Sequence, residues 1–516
     1  MLGLLPALDP VAEEKLAFVN DLDSIAMQDV KTYETWYSGD ASELRSLYFY
    51  DENITYRTEP YYYRNSRGMF WSQACEEGYK MSHSGYARDM VDTIVSICGT
   101  PSVTVPDDPE AQKELEDILD FNSFWSLYRK EQMPMTMVGG WGGYRINWNR
   151  DAYGDMPVVR FHRARDVRIY KRGGMVFGMA FLDWYRGKDG GRYLVSEIRV
   201  KGPVAGGTVR FDAFRSTGDD LVPCPLDEIE GLEDVSEWNG MPCMFATPCS
   251  FYADASDAGL PGRSVLAGKI TLLDDLDQVL SQQANTVRRS TPVETFDLDY
   301  CERDPKTKKP RMPKTFERKY IAVRGQKNAD GSSAGSGPVS VTQPNLNTDM
   351  YNATADSLKR LIIGGHLSPA TMGLEDTAAR SGDAKRESQK VTVFTHNHLT
   401  REEAAVLEDL FEQLLVARYW LKTGEVPEGK FGVKVSYDDF SDTSFESKLD
   451  VLGRALANDA ISPREFVKRL YGHTLSPEEA DEEVAWLTKK HERPEAPAEG
   501  MAGEMPDGFE DEPDGE

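Results

Sequence analysis

Residues 264–290 alternate between apolar and polar positions with the period of a helix. Apolar residues recur every three or four positions along one side: Ile270, Leu273, Leu276, Leu280, Ala284 and Val287. The opposite side carries polar or charged residues: Asp275, Gln278, Gln282 and Arg289. A single apolar stripe with this period is typical of an amphipathic helix. The sequence therefore predicts a helix over 264–290, which Thr291-Pro292 ends.

A strand-like insert and a second helix follow. Residues 293–300 alternate as a strand, the chain turns at Asp304-Pro305-Lys306, and residues 315–323 return as a second strand. Asn347 then caps a returning helix over 347–364. Two helices that leave a body and return to it around an insert predict a stalk with a tip.

The longest helical pattern of the chain, residues 381–421, comes next. It follows a loop, Gly364 to Arg380, and opens at Ser381-Gly382-Asp383-Ala384-Lys385. Thr400-x-x-Glu403 inside it matches a capping box, in which two side chains bind the free amides of a helix start. Because a capping box marks a new start, the pattern favours a kink or break near His398.

The first 263 residues divide into a helical and a strand-like part. Helical patterns at 11–50, 87–96 and 109–130 precede short strand-like runs between Met133 and Tyr252. Lys188-Asp189-Gly190-Gly191 predicts a hairpin turn, because Asp-Gly readily adopts positive φ. Helices followed by strands, without regular alternation, predict an α+β class.

Three short helices are predicted over residues 436–492. Each begins with a capping box: Thr443 with Glu446, Ser462 with Glu465, and Ser476 with Glu479. Pro463 and Pro477 stand at the first helical position, where a missing N–H costs nothing. Residues 493–516 are rich in proline, glycine and acidic residues and are predicted to be a disordered tail.

Charge and composition exclude several classes. The 516 residues carry a formal net charge of −27 and give a pI of about 4.8. Affinity for phosphate comes from Lys and Arg, so a general DNA-binding protein is disfavoured. The six cysteines lack zinc-ligand spacing, which predicts reduced thiols in a cytosolic compartment. Neither a signal peptide nor an apolar run of roughly 20 residues is evident, so no membrane contact is expected.

No stretch has the complete spacing of a catalytic motif. Gly262–Lys269 resembles a phosphate-binding loop, but five residues separate its glycines and Ile270 replaces the Ser or Thr that binds Mg²⁺. It is predicted to be a loop that leads into the helix. Gly139–Gly143 predicts a tight turn between strands, and His396 and His398 are predicted to be surface or interface residues. We therefore predict a non-enzymatic protein without cofactor or metal.

The order of these elements, together with two short patterns, resembles the portal proteins of tailed bacteriophages, which form the ring at one capsid vertex. The first pattern is the loop Leu367-Ser368-Pro369-Ala370-Thr371-Met372-Gly373, followed by Ser381-Gly382-x-Ala384-Lys385 opening a long helix. The second is Ile461-Ser462-Pro463-x-Glu465. The resemblance covers residues 20–490.

The resemblance implies an α+β, portal-type multidomain subunit with a helical stem, an α/β clip insert, a mixed wing and a small all-α crown. In chain order the parts would be a wing (1–263), a stem helix (264–290), the clip (291–345), a second stem helix (346–365), the tunnel loop (366–380), a long wing helix (381–435), the crown (436–492) and the tail (493–516).

It also implies where the subunit meets DNA and partners. DNA-facing residues of the tunnel loop would be Pro369, Thr371, Met372, Glu375, Asp376, Arg380, Ser381 and Gly382. Lys359 and Arg360 would either form a basic ring in the stem channel or pair with carboxylates of the adjacent subunit. The clip would dock an acidic partner, or be merely a solvated loop, through its basic residues: Lys306, Lys308, Lys309, Arg311 and Lys314.

The function implied is a homo-oligomeric ring of about twelve subunits, the channel for double-stranded DNA during packaging and ejection. Its expected partners are the terminase large subunit, a head-completion or adaptor protein, and the major capsid and scaffold proteins. Its expected location is the virion, with assembly in the host cytoplasm. A mostly acidic wall would let DNA slide without sticking. The alternatives are a DNA-packaging ATPase or nuclease subunit, which would need an intact phosphate loop, and another head–tail adaptor.

Overall fold

The computed structural model forms two compact units, Met1–Phe440 and Ser441–Glu516. It describes residues 25–48, 82–106, 108–172, 175–201, 206–217, 220–232, 238–254, 260–289, 293–297, 304–309, 319–323, 339–342, 348–375, 388–437, 445–458, 460–471 and 477–491. The predicted tail, residues 493–516, lies outside these ranges, as do the capping residues Thr443 and Ser476.

Helices dominate the beginning of the N-terminal unit. They are α1 (Ile25–Ser38), α2 (Ala41–Tyr48), α3 (Tyr86–Cys98), α4 (Pro109–Phe121), α5 (Phe124–Leu127), a π-helix (Tyr128–Gln132) and α6 (Met133–Gly139). In α3 the periodic residues Met90, Val91 and Ile94 are fully buried, which explains why this amphipathic segment folds as a helix. The start of α4 is fixed by the Asp108 side chain, which accepts a hydrogen bond from the Ala111 amide.

The middle of the unit is built from antiparallel sheets. Its strands are β1 (Ser102–Thr104), β2 (Gly142–Asn147), β3 (Val158–Arg163), β4 (Val167–Arg172), β5 (Met175–Arg186), β6 (Arg192–Lys201), β7 (Gly207–Thr217), β8 (Asp220–Cys224), β9 (Trp238–Met241) and β10 (Ala246–Cys249), with a short helix α7 (Arg150–Tyr153) between β2 and β3. One sheet has the order β10-β2-β3, and the larger has the order β4-β5-β6-β7-β8 with β9 paired to β7. Helices and antiparallel sheets confirm the general α+β class.

Two predicted turns have different outcomes. Residues 187–191 join β5 to β6 as a hairpin, with Gly190 at φ 78°, so this turn is confirmed. Gly139–Gly143 does not join two strands, and that prediction is wrong. Gly139 ends α6, Gly140 follows at φ 89°, and β2 begins at Gly142. A Cβ on Gly140 would lie 2.8 Å from the Ser264 nitrogen, so close packing as well as the turn requires glycine.

The stalk consists of α8 (Ile270–Arg289) and α9 (Thr348–Ile363), with β11 (Val293–Asp297), β12 (Lys319–Val323) and β13 (Val339–Thr342) between them. The first helix begins at Ile270 and not at 264, because residues 265–269 form turns. The predicted return of the second strand is also wrong, since β12 runs parallel to β11. The antiparallel partner of β11 is β13.

The long helix α10 (Lys390–Thr423) is continuous over 34 residues, which corresponds to about 50 Å. The predicted kink near His398 is therefore wrong, because Thr400 donates its hydroxyl to the His396 carbonyl and caps nothing. The helix is held in the main core by side chains that are fully buried: Leu399, Leu407, Leu410, Phe411 and Leu414. The predicted opening at Ser381 lies outside the described residues. A short strand, β14 (Lys434–Ser436), then pairs with β1.

The C-terminal unit contains α11 (Phe445–Ala457), α12 (Pro463–Tyr471) and α13 (Pro477–His491), as predicted. The Glu465 amide donates to the Ser462 hydroxyl at 3.2 Å, which confirms that helix start. Leu456, Phe466, Val467 and Leu470 form the small core of this unit. None of the helices in the described ranges combines the length and apolar character that a membrane span requires.

Candidate functional site

The two stalk helices pack against each other in antiparallel order. Gln283 donates to the Asn352 side chain at 3.0 Å, and the hydroxyls of Thr286 and Tyr351 lie 3.3 Å apart. At the other end Lys269, directly before α8, donates to carbonyls at the end of α9. The chain therefore leaves the body on one helix and returns on the other, with β11–β13 inserted at the far end.

Buried polar contacts root α8 in the body. The Asp277 carboxylate, which is fully buried, lies 2.7 Å from His83 Nδ1 and accepts a hydrogen bond from the Ser84 amide at 2.8 Å. One turn later, Ser281 Oγ accepts a hydrogen bond from the Ser82 amide at 2.8 Å. Because a buried carboxylate needs such partners, these contacts fix both the position and the rotation of the helix.

The phosphate-loop resemblance at Gly262–Lys269 has a structural explanation. The ammonium group of Lys269 donates to the Ile362 carbonyl and, at 2.9 Å, to the Gly364 carbonyl, so it binds the free end of α9. Burial, and then Arg263, lower the pKa of Lys269. A Cβ on Gly262 would lie 2.2 Å from the Gly140 carbonyl oxygen, so this glycine permits two loops to cross. Residues 262–269 therefore pack against neighbouring segments as a loop, as predicted.

The first half of the predicted tunnel loop is attached to the start of the long helix. The Ser368 amide donates to Thr392 Oγ1 at 2.9 Å, and the Thr371 and Thr392 hydroxyls lie 2.7 Å apart. Pro369 and Met372 are half-buried, and Met372 packs against the main core. Asp376, Arg380, Ser381 and Gly382 lie outside the described residues. In the described part, Pro369–Glu375 thus forms an anchored base for the loop.

Replacing Thr392 with valine should loosen this base. The substitution keeps the shape of a fully buried side chain but removes both hydroxyl contacts, leaving the Ser368 amide without its acceptor. We expect a loss of about 1–3 kcal/mol in local stability, measured as faster hydrogen exchange at the Ser368 amide. Thr395→Val is the control, because Thr395 lies on the same helix and has no hydrogen bond to the loop among the described residues. Unchanged exchange in Thr392→Val would show that apolar packing alone holds the loop.

The two basic residues predicted for the stem channel have partners within the same chain. Arg360 Nη1 lies 3.0 Å from Glu375 Oε1, and Arg360 Nη2 donates to the Leu374 carbonyl at 2.6 Å. Lys359 lies 3.6 Å from Asp356, one turn earlier on α9. Arg360 therefore connects the end of the stalk to the far side of the loop base, an arrangement that sequence alone did not predict.

The basic residues predicted for the clip lie in a tight turn. The Asp304 carboxylate accepts hydrogen bonds from the Lys306 amide at 2.8 Å and the Thr307 amide at 2.9 Å, and these bonds lower the pKa of Asp304. The turn exposes the side chains of Lys306, Lys308 and Lys309. Arg311 and Lys314 lie outside the described residues.

A buried charged cluster near the middle of α10 was not predicted. The Glu403 carboxylate, which is fully buried, accepts a hydrogen bond from the Tyr128 hydroxyl at 2.6 Å and lies 3.2 Å from Arg129 Nη2. Burial raises the pKa of Glu403, and the nearby Arg129 opposes that shift. Burial, and then Glu403, raise the pKa of the Tyr437 phenol. The cluster connects the π-helix to α10. The only sequence signal was Glu403 itself, which was interpreted as part of a capping box.

A second buried network crosses the two sheets. Arg145 on β2 donates to Asp183 on β5 and to Glu197 on β6, each at 2.7 Å. Arg199 donates to Glu197 at 2.6 Å and to the Ile146 carbonyl at 2.8 Å. Each buried charge thus has an opposite charge, so the network fixes the position of one sheet against the other.

The two histidines of α10 differ in exposure. His396 is 4% exposed, so the surface interpretation is wrong for His396. His398 is half-buried, with its Nε2 2.9 Å from the Phe251 carbonyl oxygen, and the interface interpretation of the two residues stays a prediction. In the described ranges, no group of three or more His, Cys, Asp or Glu side chains is placed to hold a metal ion.

Comparison with known proteins adds nothing to this site. No model of a known protein family matches the chain, and no curated protein matches it either.

Proposed function

We propose that this chain is the subunit of a portal-type ring that forms a channel for double-stranded DNA. The observation that carries the proposal is the geometry of residues 270–423. An antiparallel helix pair, rooted in the core, holds a three-stranded insert at its far end. The pair leads through an anchored loop base into a 34-residue helix. A stem, a clip, a tunnel loop and a wing helix occur in this order in portal subunits.

Each part has a role in the proposed ring. The stem helices α8 and α9 form one subunit's share of the channel wall. The exposed turn of Lys306, Lys308 and Lys309 in the clip docks the terminase large subunit during packaging and an adaptor protein afterwards. The major capsid and scaffold proteins contact the ring at the capsid vertex. The tunnel loop, whose described part includes Pro369, Thr371, Met372 and Glu375, faces the DNA from its anchored base.

The acidic charge of the chain favours a channel through which DNA slides over a protein that binds DNA tightly. Each subunit has a formal net charge of −27, so a ring of about twelve chains is strongly acidic as a whole. Asp349 and Asp356 are exposed on α9, and Asp275 is exposed on α8. A wall of this charge repels phosphates and lets DNA slide. Lys359 and Arg360 are paired within the subunit, so they do not add an open basic ring in this state.

Exposed apolar side chains support assembly. Leu361 on α9 is 60% exposed, and Phe394 near the start of α10 is 62% exposed. Both side chains are available for another chain to cover, which would remove their apolar surface from water. We assign them to contacts between neighbouring subunits.

The test is the mass and shape of the purified protein. Twelve copies of the 57.9 kDa chain would give a particle of about 700 kDa, visible as a ring with a central hole by electron microscopy. Phe394→Asp should reduce the ring fraction, while Val426→Asp, at an equally exposed position, should not. A strictly monomeric protein at high concentration would refute the proposal.

A further inference from the structure

The end of the β5–β6 hairpin carries an unusual pair of like charges. Arg186 and Arg192 lie directly opposite each other on the two strands. The Arg192 guanidinium lies 4.6 Å from the ring centroid of Trp184, whose side chain is 48% exposed. Within the part of the chain that the structure describes, neither arginine has a carboxylate partner. We name Trp184, Arg186 and Arg192 the hairpin patch.

A surface of opposite charge lies where α4 ends. Asp117, Asp120 and Phe121 share one face of the helix, and Phe121 is 46% exposed. Its ring lies 5.9 Å from that of Tyr153 on α7, which is 49% exposed. Among the described residues, Asp117 and Asp120 have no cationic partner. We name Asp117, Asp120, Phe121 and Tyr153 the acidic patch.

The two patches complement each other in charge and in chemistry. Like charges placed directly opposite in a sheet destabilise it, so an unpaired Arg186–Arg192 pair costs stability that an incoming carboxylate would restore. Each patch also exposes at least one aromatic side chain, and aromatic residues and arginine are enriched where proteins bind one another. Three residues with two cations are too few for DNA in a chain of net charge −27. A protein surface with carboxylates and aromatic rings fits better.

We infer that the hairpin patch of one subunit binds the acidic patch of a second copy of this chain. Such a contact joins two different surfaces, so it is heterologous and can repeat from subunit to subunit until a ring closes. In this contact Asp117 and Asp120 bind Arg186 and Arg192, while Phe121 and Tyr153 pack near Trp184. The inference rests on the proposed ring, because a closed ring is what lets every copy use both patches.

The experiment is a charge swap read by mass photometry of the full-length protein. R186E/R192E should reduce the assembled fraction at least about tenfold, because like charges then face each other across the contact. D117K/D120K should do the same. Mixing the two variants should restore assembly, since each supplies the surface that the other has reversed. R464E/K468E, on exposed positions of α12, reverses as many charges and should leave assembly unchanged.

The outcomes separate this inference from the proposed function. Normal rings from both reversed variants would refute the contact and leave the ring intact as a proposal. Loss of assembly in both variants without rescue on mixing would also refute it, because the patches would then act on other partners. A wild-type protein that never assembles would refute both proposals together.

Discussion

Replacing Glu403 with alanine is expected to lower the free energy of unfolding of the N-terminal unit by about 3–5 kcal/mol. The carboxylate is fully buried and is the acceptor for the Tyr128 hydroxyl, with Arg129 3.2 Å away. Its removal leaves the largely buried guanidinium of Arg129 and the buried hydroxyl of Tyr128 without their partner. Because both groups lie away from water, no water molecule replaces the lost hydrogen bonds. Urea unfolding followed by tryptophan fluorescence measures the effect. The signal reports mainly on the N-terminal unit, because Trp486 is the only one of the nine tryptophans that belongs to the C-terminal unit.

Glu402→Ala is the matched control for Glu403. It stands one position earlier on the same helix, and its side chain is 37% exposed and paired with the exposed Arg401. We expect a change below about 1 kcal/mol there, as for most surface ion pairs. Equal losses from the two variants would mean that Glu403 acts through helix propensity and not through the buried cluster.

The comparison of two capping boxes shows what sequence could and could not predict. Ser462-x-x-Glu465 begins a helix as predicted, since Pro463 stands at the first helical position and disfavours a helical conformation in the residue before it. Thr400-x-x-Glu403 has the same spacing but lies inside an apolar periodic stretch. There Glu403 points into the core toward Tyr128, 275 positions away in sequence. The spacing of residues within a short motif cannot predict a contact between positions so far apart in sequence.

In the stalk, too, local features were predicted from the sequence and long-range contacts were not. Periodicity alone located α9 and the end of α8 closely, because an amphipathic stripe is a local property. The start of α8 was placed too early, at 264 where the helix begins at Ile270. The parallel pairing of β12 with β11 was missed, since the order and direction of strands are set by long-range pairing, which a local pattern does not contain. The attachment of the loop base to Thr392 was also missed, because it joins parts of the chain whose proximity only the fold determines.

Buried charges are a common means by which this chain fixes its elements. Asp277 anchors the first stalk helix, Glu403 anchors the long helix, and Arg145 fixes one sheet against the other. Each of these charges disfavours other placements of its helix or sheet, because a displaced element would leave a charge buried without its partner.

Acidification from pH 7 to pH 5 should destabilise the N-terminal unit by about 2 kcal/mol through His162 alone. The side chain is 4% exposed, its ring lies 4.8 Å from that of Phe181, and burial, followed by Arg145, Arg160 and Arg199, lowers its pKa to about 2. The folded state therefore excludes a proton that the unfolded chain binds below about 6.5. The stabilisation from neutral His162 is complete above that pH and is lost progressively as the pH falls toward 2.

His162→Gln isolates this contribution, because glutamine stays neutral over the whole range. The variant should lose about 2 kcal/mol less than the wild type between pH 7 and pH 5, whatever its stability at pH 7. Burial, and then Lys269 and Arg263, lower the pKa of His366 to about 4, so His366→Gln should remove a similar amount. The two effects should add in the double variant, since the histidines belong to different parts of the unit. An unchanged pH dependence in His162→Gln would mean that the imidazole gains a proton without unfolding, and that the arginines around it move apart to admit the charge.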